Sequence, residues 1–403
     1  MNSILLVRVL LFPALIVMSA LSTTSLFAVE KTANVTKSPT AKRSTPQTDI
    51  LSAQEWQQTD KSVELGLSFL ASQQRGDGGF NTAEIGQPGV TALVVLAFMQ
   101  HGHLPGEGPY GQVLKQAIEF LISCQKKNGL FARVYHEGPL VPTPMDNFMV
   151  SVAASYNHPI TSLTLSELYG MTGESANSQL EPSIRKALDV SLDIQKWKKQ
   201  RPIDIGGWRY LHRYTKADSD LSITGWHLKF LRSAKNSGFD LPPKAIDDAI
   251  DYVRRCFTPE FGTFEYNITE NDRRTRAMAG AGILALAHAG QHNREELIPA
   301  ADWILKHGFS NYNQRETFGT HHEQSDRYHY GVFYCCQAMY QIGGKYWEEF
   351  FPPTVKTLLA NQNRDGSWDA EKILDRQFGK SYTTSLVLLA LGCPNQLLPI
   401  YQR

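Results

Sequence analysis

The chain has 403 residues, of which 42% are hydrophobic and 20% charged: enough apolar side chains for a substantial core, too many for disorder over most of its length. Forty Lys and Arg against 39 Asp and Glu give a net charge of +1, which leaves no general electrostatic footprint for nucleic acid or an anionic membrane. The five cysteines (Cys124, Cys256, Cys335, Cys336 and Cys393) are too few and too scattered for a disulfide framework.

Residues 1–28 read as an export signal. Arg8 is their single charge, Val9 to Leu21 is an apolar run, and small residues follow at Ser22, Thr23, Thr24, Ser25 and Ala28. An uncleaved anchor is the alternative. Residues 29–50, rich in Thr, Lys, Ser and Pro, are predicted to be a flexible tether. Residues 51–403 are then one folded domain, expected to be periplasmic or secreted.

That domain is built on a repeat. Leu70–Phe80, Leu121–Phe131 and Leu359–Trp368 each end an amphipathic helix with Gln, three residues, Gly, one residue and an aromatic. The positions are Gln74, Gly78, Phe80; Gln125, Gly129, Phe131; and Gln362, Gly366, Trp368. Glycine ends the helix in a left-handed conformation and the aromatic folds back onto the packed surface. Glutamine is free to bond the exposed groups of the turn. Degenerate copies carry Gln195 with Gly206, Gly207 and Trp208; Gly262 with Phe264; and Gly308 with Phe309.

After each turn comes a helix apolar nearly all round, starting from Thr91, near Ile160, near Leu221, and from Ala277, Gly331 and Thr383. Such helices are buried on every side. Six alternations of amphipathic and buried helix predict an all-α fold, an α/α toroid of two concentric rings whose sixth unit closes on its first. An open solenoid would expose one face of the inner helices.

The pattern resembles the squalene cyclase and protein prenyltransferase superfamily, the terpenoid cyclase-like toroids, over almost the whole chain after the tether. That resemblance implies a central cup lined by the inner-helix starts and the loops before them. Asp218-Ser219-Asp220-Leu221-Ser222 is similar to the Asp-x-Asp-Asp-Thr motif of the family's proton-initiated, metal-independent cyclases, with Leu221 in place of the third aspartate. The resemblance makes Asp220 the acid that protonates an alkene and Asp218 its companion. Two close buried carboxyls favour one retained proton. The competing reading is that Asp and Ser before an apolar helix are N-caps, worth about 1 kcal/mol.

Aromatic faces that stabilise carbocations are the second requirement. Trp208, Tyr210, Trp226, Tyr328, Tyr330, Phe333, Tyr334 and Tyr382 fall near inner-helix starts. Of these, Trp208, Tyr210, Trp226, Tyr328, Tyr330 and Tyr382, together with His158, Arg276 and His329, are the candidate substrate-binding residues, core packing being the alternative for the aromatics. Arg273, Arg274 and Arg276 precede an inner helix and suit a diphosphate or carboxylate, or form a solvated rim. No Asp-x-Cys occurs, and His321, His322, His329, Cys335 and Cys336 match no zinc spacing, so no metal and no cofactor are expected.

Two functions follow. The first is an exported toroid that binds a linear isoprenoid, a hydrophobic small molecule, and cyclises it by protonation. The family's cyclases build the cavity between two helical domains and this chain has one, so a homodimer or partner chain would complete the wall. The second is a non-catalytic toroid binding a lipid, glycan or peptide, since related toroids also support polysaccharide lyases. Whether Asp220 faces the cavity or caps its helix separates the two.

Overall fold

The computed structural model describes residues 49–140, 148–212, 217–269, 273–291, 295–318 and 326–402. The predicted export signal, almost all of the tether, and His321 and His322 lie outside them. Among the described residues no helix is long and apolar enough to cross a membrane.

The outer helices are α1 (Ala53–Ser72), α3 (Gly111–Ser123), α5 (Glu174–Gln195), α7 (Pro243–Arg255), α9 (Leu297–Lys306) and α11 (Lys345–Ala360). Between them run the inner helices α2 (Gly89–Gln100), α4 (Phe148–Met171), α6 (Leu221–Asn236), α8 (Arg276–His288), α10 (Tyr328–Ile342) and α12 (Gly379–Leu391). Local chemistry sets the ends. Ser52 and Glu55 form a capping box at the start of α1, and Thr275 caps α8 through the Met278 N–H. Composition sets the ring. α7 buries one stripe, including Ala245, Ile246, Ala249, Ile250 and Val253, whereas every residue of α2 and of α8 is buried.

The inner ring closes as the sequence predicts. α2 packs on α4, α4 on α6, α6 on α8, α8 on α10, α10 on α12, and α12 back on α2. Each of α3, α5, α7, α9 and α11 covers the inner helix that precedes it, and α1 covers α12, so the first outer helix completes the last unit. Among the described residues the paired strands are those of one short hairpin, Phe257–Thr258 with Thr263–Phe264.

The repeat glutamines stitch neighbouring units. Each donates both amide hydrogens: one to its own turn glycine and one to the first half of the next outer helix. Gln74 bonds Gly78 O (3.1 Å) and Val113 O (2.8 Å); Gln125 bonds Gly129 O (3.1 Å) and Ser183 O (2.8 Å). Gln195 bonds Gly206 O (2.9 Å) and Ala245 O (2.8 Å); Gln362 bonds Gly366 O (2.9 Å) and Ser62 O (2.8 Å). The turn aromatic is then pinned by the inner helix. Thr91, Thr224 and Thr384 hydroxyls accept the N–H of Phe80, Trp208 and Trp368, and His158 Nδ1 accepts that of Phe131.

The fifth unit lacks the glutamine. There Arg276 of α8 reaches out instead, donating from Nη1 to Gly308 O at 2.8 Å. Asp326, from the loop before α10, neutralises it at 2.7 Å and also accepts the Arg276 N–H at 2.8 Å.

One inner helix starts earlier than its sequence suggests. α4 begins at Phe148, not near Ile160, and carries Pro159 inside it. Proline reads as a breaker because it removes a donor and crowds the preceding turn. Burial of the helix on all sides overrides that cost here.

The end of the ring where α4 and α6 finish is sealed by the C-terminal residues. Glu167 of α4, fully buried, accepts the Ile400 N–H (3.0 Å) and the Ser233 hydroxyl (2.5 Å) and has no cationic partner in the described residues. Burial pushes its carboxyl from the usual 4.5 up to about 7. The folded chain therefore holds this proton more tightly than the unfolded one. Its contribution is complete below about pH 4.5 and is lost as pH rises through about 7. Glu167→Gln keeps the shape without the charge. It is expected to gain about 2 kcal/mol near pH 8 and almost nothing near pH 4, read from urea midpoints at both.

Candidate functional site

A cavity of about 440 Å³ opens at the N-terminal end of the inner ring. All six inner helices reach it with their first halves: Gly89, Val90 and Leu93; Phe148 to Ile160; Ser222 and Trp226; Ala277 and Met278; Tyr330; and Tyr382. It is enclosed within one toroid, so its walls need no second domain. The volume suits a small-molecule ligand.

The wall is aromatic and aliphatic with two hydroxyl networks. In one, Tyr156 donates to Ser222 Oγ at 3.0 Å, the Ser222 and Tyr330 hydroxyls are hydrogen-bonded at 2.8 Å, and Trp226 Nε1 donates to Tyr330 Oη at 2.8 Å. In the other, Tyr210 and Tyr266 hydroxyls meet at 2.7 Å, and Tyr266 donates onward to Asp220 Oδ2 at 3.1 Å. Desolvation pushes the phenols of Tyr156, Tyr210, Tyr266, Tyr330 and Tyr382 above their usual range, so they stay protonated and act as hydrogen-bonding groups.

Among the described residues the lining also holds four cations, Arg273, Arg315, Arg327 and Lys372, with one carboxylate, Asp375. Arg327 is paired with Asp375. Arg273 lies over the Tyr266 ring at 4.6 Å with its Nε unbonded, and within the described residues neither it nor Arg315 nor Lys372 has a carboxylate at ion-pair distance. The inner-helix N-termini add positive potential of the same sign at this end.

Asp220 does not reach the cavity. It is fully buried, its Oδ1 accepts the Ile223 N–H at 2.8 Å as the N-cap of α6, and Arg209 stands 3.8 Å from Oδ2. Burial raises its carboxyl and the Arg209 guanidinium works against that rise. Asp218 points elsewhere: its Oδ2 accepts the Gln200 N–H at 2.6 Å and its carbonyl accepts Lys199 Nζ. The two carboxyls therefore form no shared-proton pair at the cup.

Of the aromatic and polar candidates, Tyr210, Trp226, Tyr330 and Tyr382 line the cavity. The other five do not. Trp208 is a repeat aromatic, buried against His227 with its indole N–H on Ser191 O. His158 lies mid-helix facing the outer ring, and burial lowers its imidazole to about 3, so it is neutral. Arg276 and Tyr328 serve the fifth turn, Tyr328 donating to Phe309 O. His329 gives its N–H to Glu371 at 2.7 Å, capping α10.

Residues missed from the sequence are Phe148, Met149, Tyr156, Tyr266, Arg315, Arg327, Lys372, Asp375 and Phe378. The early part of α4 supplies three of them and would have been found had the helix been extended through Pro159. The rest come from the segments between the helices of the two rings, Asp375 and Phe378 from a short 3-10 helix (Ile373–Phe378), where no periodicity marks them. All five cysteines are buried and unpaired, and among the described residues no three His, Cys, Asp or Glu side chains gather as a metal-binding group.

No protein-family model and no curated protein matches the chain. Solved structures do. The type II terpene cyclase MstE from Scytonema, solved as a variant with its substrate geranylgeranyl dihydroxybenzoate, superposes with a TM-score of 0.51 at 14% identity, over 87% of this chain and 100% of that one. The ligand-free enzyme gives 0.50 at 16% identity, over 85% of this chain and 100% of that one. A glucoamylase-like protein from Bacteroides caccae gives 0.47 at 10% identity, over 86% and 95%. The chain has the terpenoid cyclase-like α/α-toroid fold.

Proposed function

We propose that this protein is an exported toroid whose cavity binds a linear, isoprenoid-like chain carrying an anionic head, apolar part inward and head at the rim. The observation that carries this reading is the pairing of an aromatic wall with three lining cations, Arg273, Arg315 and Lys372, none at ion-pair distance from a carboxylate among the described residues. The terpene cyclase that it superposes on was solved with geranylgeranyl dihydroxybenzoate as substrate, which supports the same ligand class. A glycan suits the lining less well: among the described residues Asp375 is its one carboxylate and is paired with Arg327, whereas glycoside hydrolysis uses two. Asp220 as helix cap favours binding without turnover.

The test compares a linear prenyl diphosphate with the prenol of the same length by calorimetry. The diphosphate should bind at least tenfold more tightly. Arg273→Ala with Arg315→Ala should weaken it about 10- to 100-fold, leave the prenol unchanged and flatten the salt dependence. Equal binding of both ligands would overturn the anionic-head reading. Mass spectrometry of the same mixtures should return the ligand intact. A cyclic product from the native protein, lost in Asp220→Asn, would replace binding by proton-initiated cyclisation.

A further inference from the structure

Thr91, His158 and Thr224 mark one level of the inner ring, since each bonds the N–H of a repeat aromatic. Two residues further along α2, α4 and α6 stand Leu93, Ile160 and Trp226, the deepest cavity-lining residues of those helices. One turn below Trp226 lies Lys229, only 1% exposed. Its Nζ sits 3.3 Å from the Trp226 ring centre, 4.5 Å from that of Tyr334 and 5.0 Å from that of Phe333, and donates to Tyr334 Oη at 3.3 Å. No carboxylate pairs with it among the described residues. Of the three rings, Trp226 alone also lines the cavity.

A buried lysine with no counter-charge is expensive, and an aliphatic side chain would fill the same space. The box of ring faces, which attracts cations, compensates in part. We propose that Lys229 is the specificity-determining floor of the cavity: it occupies an aromatic cation box continuous with the ligand wall and sets where the apolar end of a bound chain stops. Its amine is pushed well below the usual lysine range by burial, which fits a group enclosed by rings and one hydroxyl. This inference rests on the amphiphile reading above and adds a length limit to it.

The experiment measures affinity along a homologous series of n-alkyl phosphates. In the native protein each methylene should tighten binding about fourfold until the chain meets the floor, then add nothing. In Lys229→Ala the plateau should move by about three methylenes, because Lys229 lies roughly 4.5 Å below Trp226 at 1.5 Å per residue. Lys229→Met, which refills the box, should restore the native plateau. A folded Lys229→Ala with an unmoved plateau, or a Lys229→Met plateau that moves as far, would overturn the proposal. Should Lys229→Ala not fold, Lys229→Val vacates part of the box and should move the plateau by about one methylene; no movement is likewise fatal. If no alkyl phosphate binds the native protein, the amphiphile reading fails. The box is then tested alone with tetramethylammonium, which should bind Lys229→Ala and not the native chain; equal behaviour of the two would sink the inference.

Discussion

Gly366→Ala is expected to cost about 3–5 kcal/mol, a large loss for one added methyl group. Gly366 has φ of +86°, where an added Cβ is strained by about 1–2 kcal/mol. The Cβ would also stand 2.2 Å from the Leu65 carbonyl oxygen of α1, a backbone atom that cannot rotate away. Relief requires moving α1 off the turn, which breaks the paired bonds from Gln362 to Ser62 O and Gly366 O. Gly76→Ala, in the equivalent turn of the first unit, meets nothing within 4 Å and should change stability by less than about 1 kcal/mol. Urea unfolding of both variants measures the contrast; a Gly366→Ala loss no larger than that of Gly76→Ala would refute the account.

Asp326→Ala should be comparably damaging, at about 3–5 kcal/mol, for an electrostatic reason. Arg276 and Asp326 are both about 1% exposed, and the guanidinium also binds Gly308 O and Gln314 O while lying 4.0 Å over the Phe309 ring. Removing the carboxylate leaves a core cation whose remaining carboxylate, Glu316, is half-exposed at 3.8 Å, and unpairs the first N–H of α8. A charge left unpaired costs more than the pair is worth, so the double variant Arg276→Met with Asp326→Leu should be more stable than Asp326→Ala alone. Denaturation curves of the three proteins decide it. A double variant worse than the single one would mean that the carbonyl contacts of Arg276, and not its charge, hold the fifth turn.

The fold was legible because its grammar is local. Gln, Gly and an aromatic at fixed spacing mark three of the turns and degenerate copies mark the others, and a helix with no polar stripe has nowhere to be but inside. The site was legible only where it shares that grammar. Tyr210, Trp226, Tyr330 and Tyr382 stand beside turns or on first helical turns, and they do line the cavity. The same rule also selected Trp208, His158, Tyr328 and Arg276, whose side chains leave the same elements in the opposite direction to pin the outer ring. A residue-to-residue periodicity says which helix face is apolar; on a helix buried all round it does not say which face looks inward. Asp220 shows the limit of a motif. The Asp-x-Asp spacing is present, but with Leu221 in the next position the second carboxylate turns to the Ile223 amide. Arg315, Lys372 and Asp375 come from segments between the helices of the two rings whose partners are set by ring closure, information that no window of sequence contains.

Ring closure also has a kinetic face. Five of the six unit junctions join helices that are neighbours in the chain and can form as they emerge. The sixth, made by Gln362 with Ser62 and by α12 with α1 and α2, joins segments about 300 residues apart. Its high contact order makes it the late step of folding. Until α11 and α12 are in place the chain is an open arc with the flanks of α2 and α10 bare, a state prone to pair with another arc. The chain break between the sixth and first units is one of six nearly alike positions, so a circular permutant opened in a loop between other units would build the same ring while changing which junction is made last.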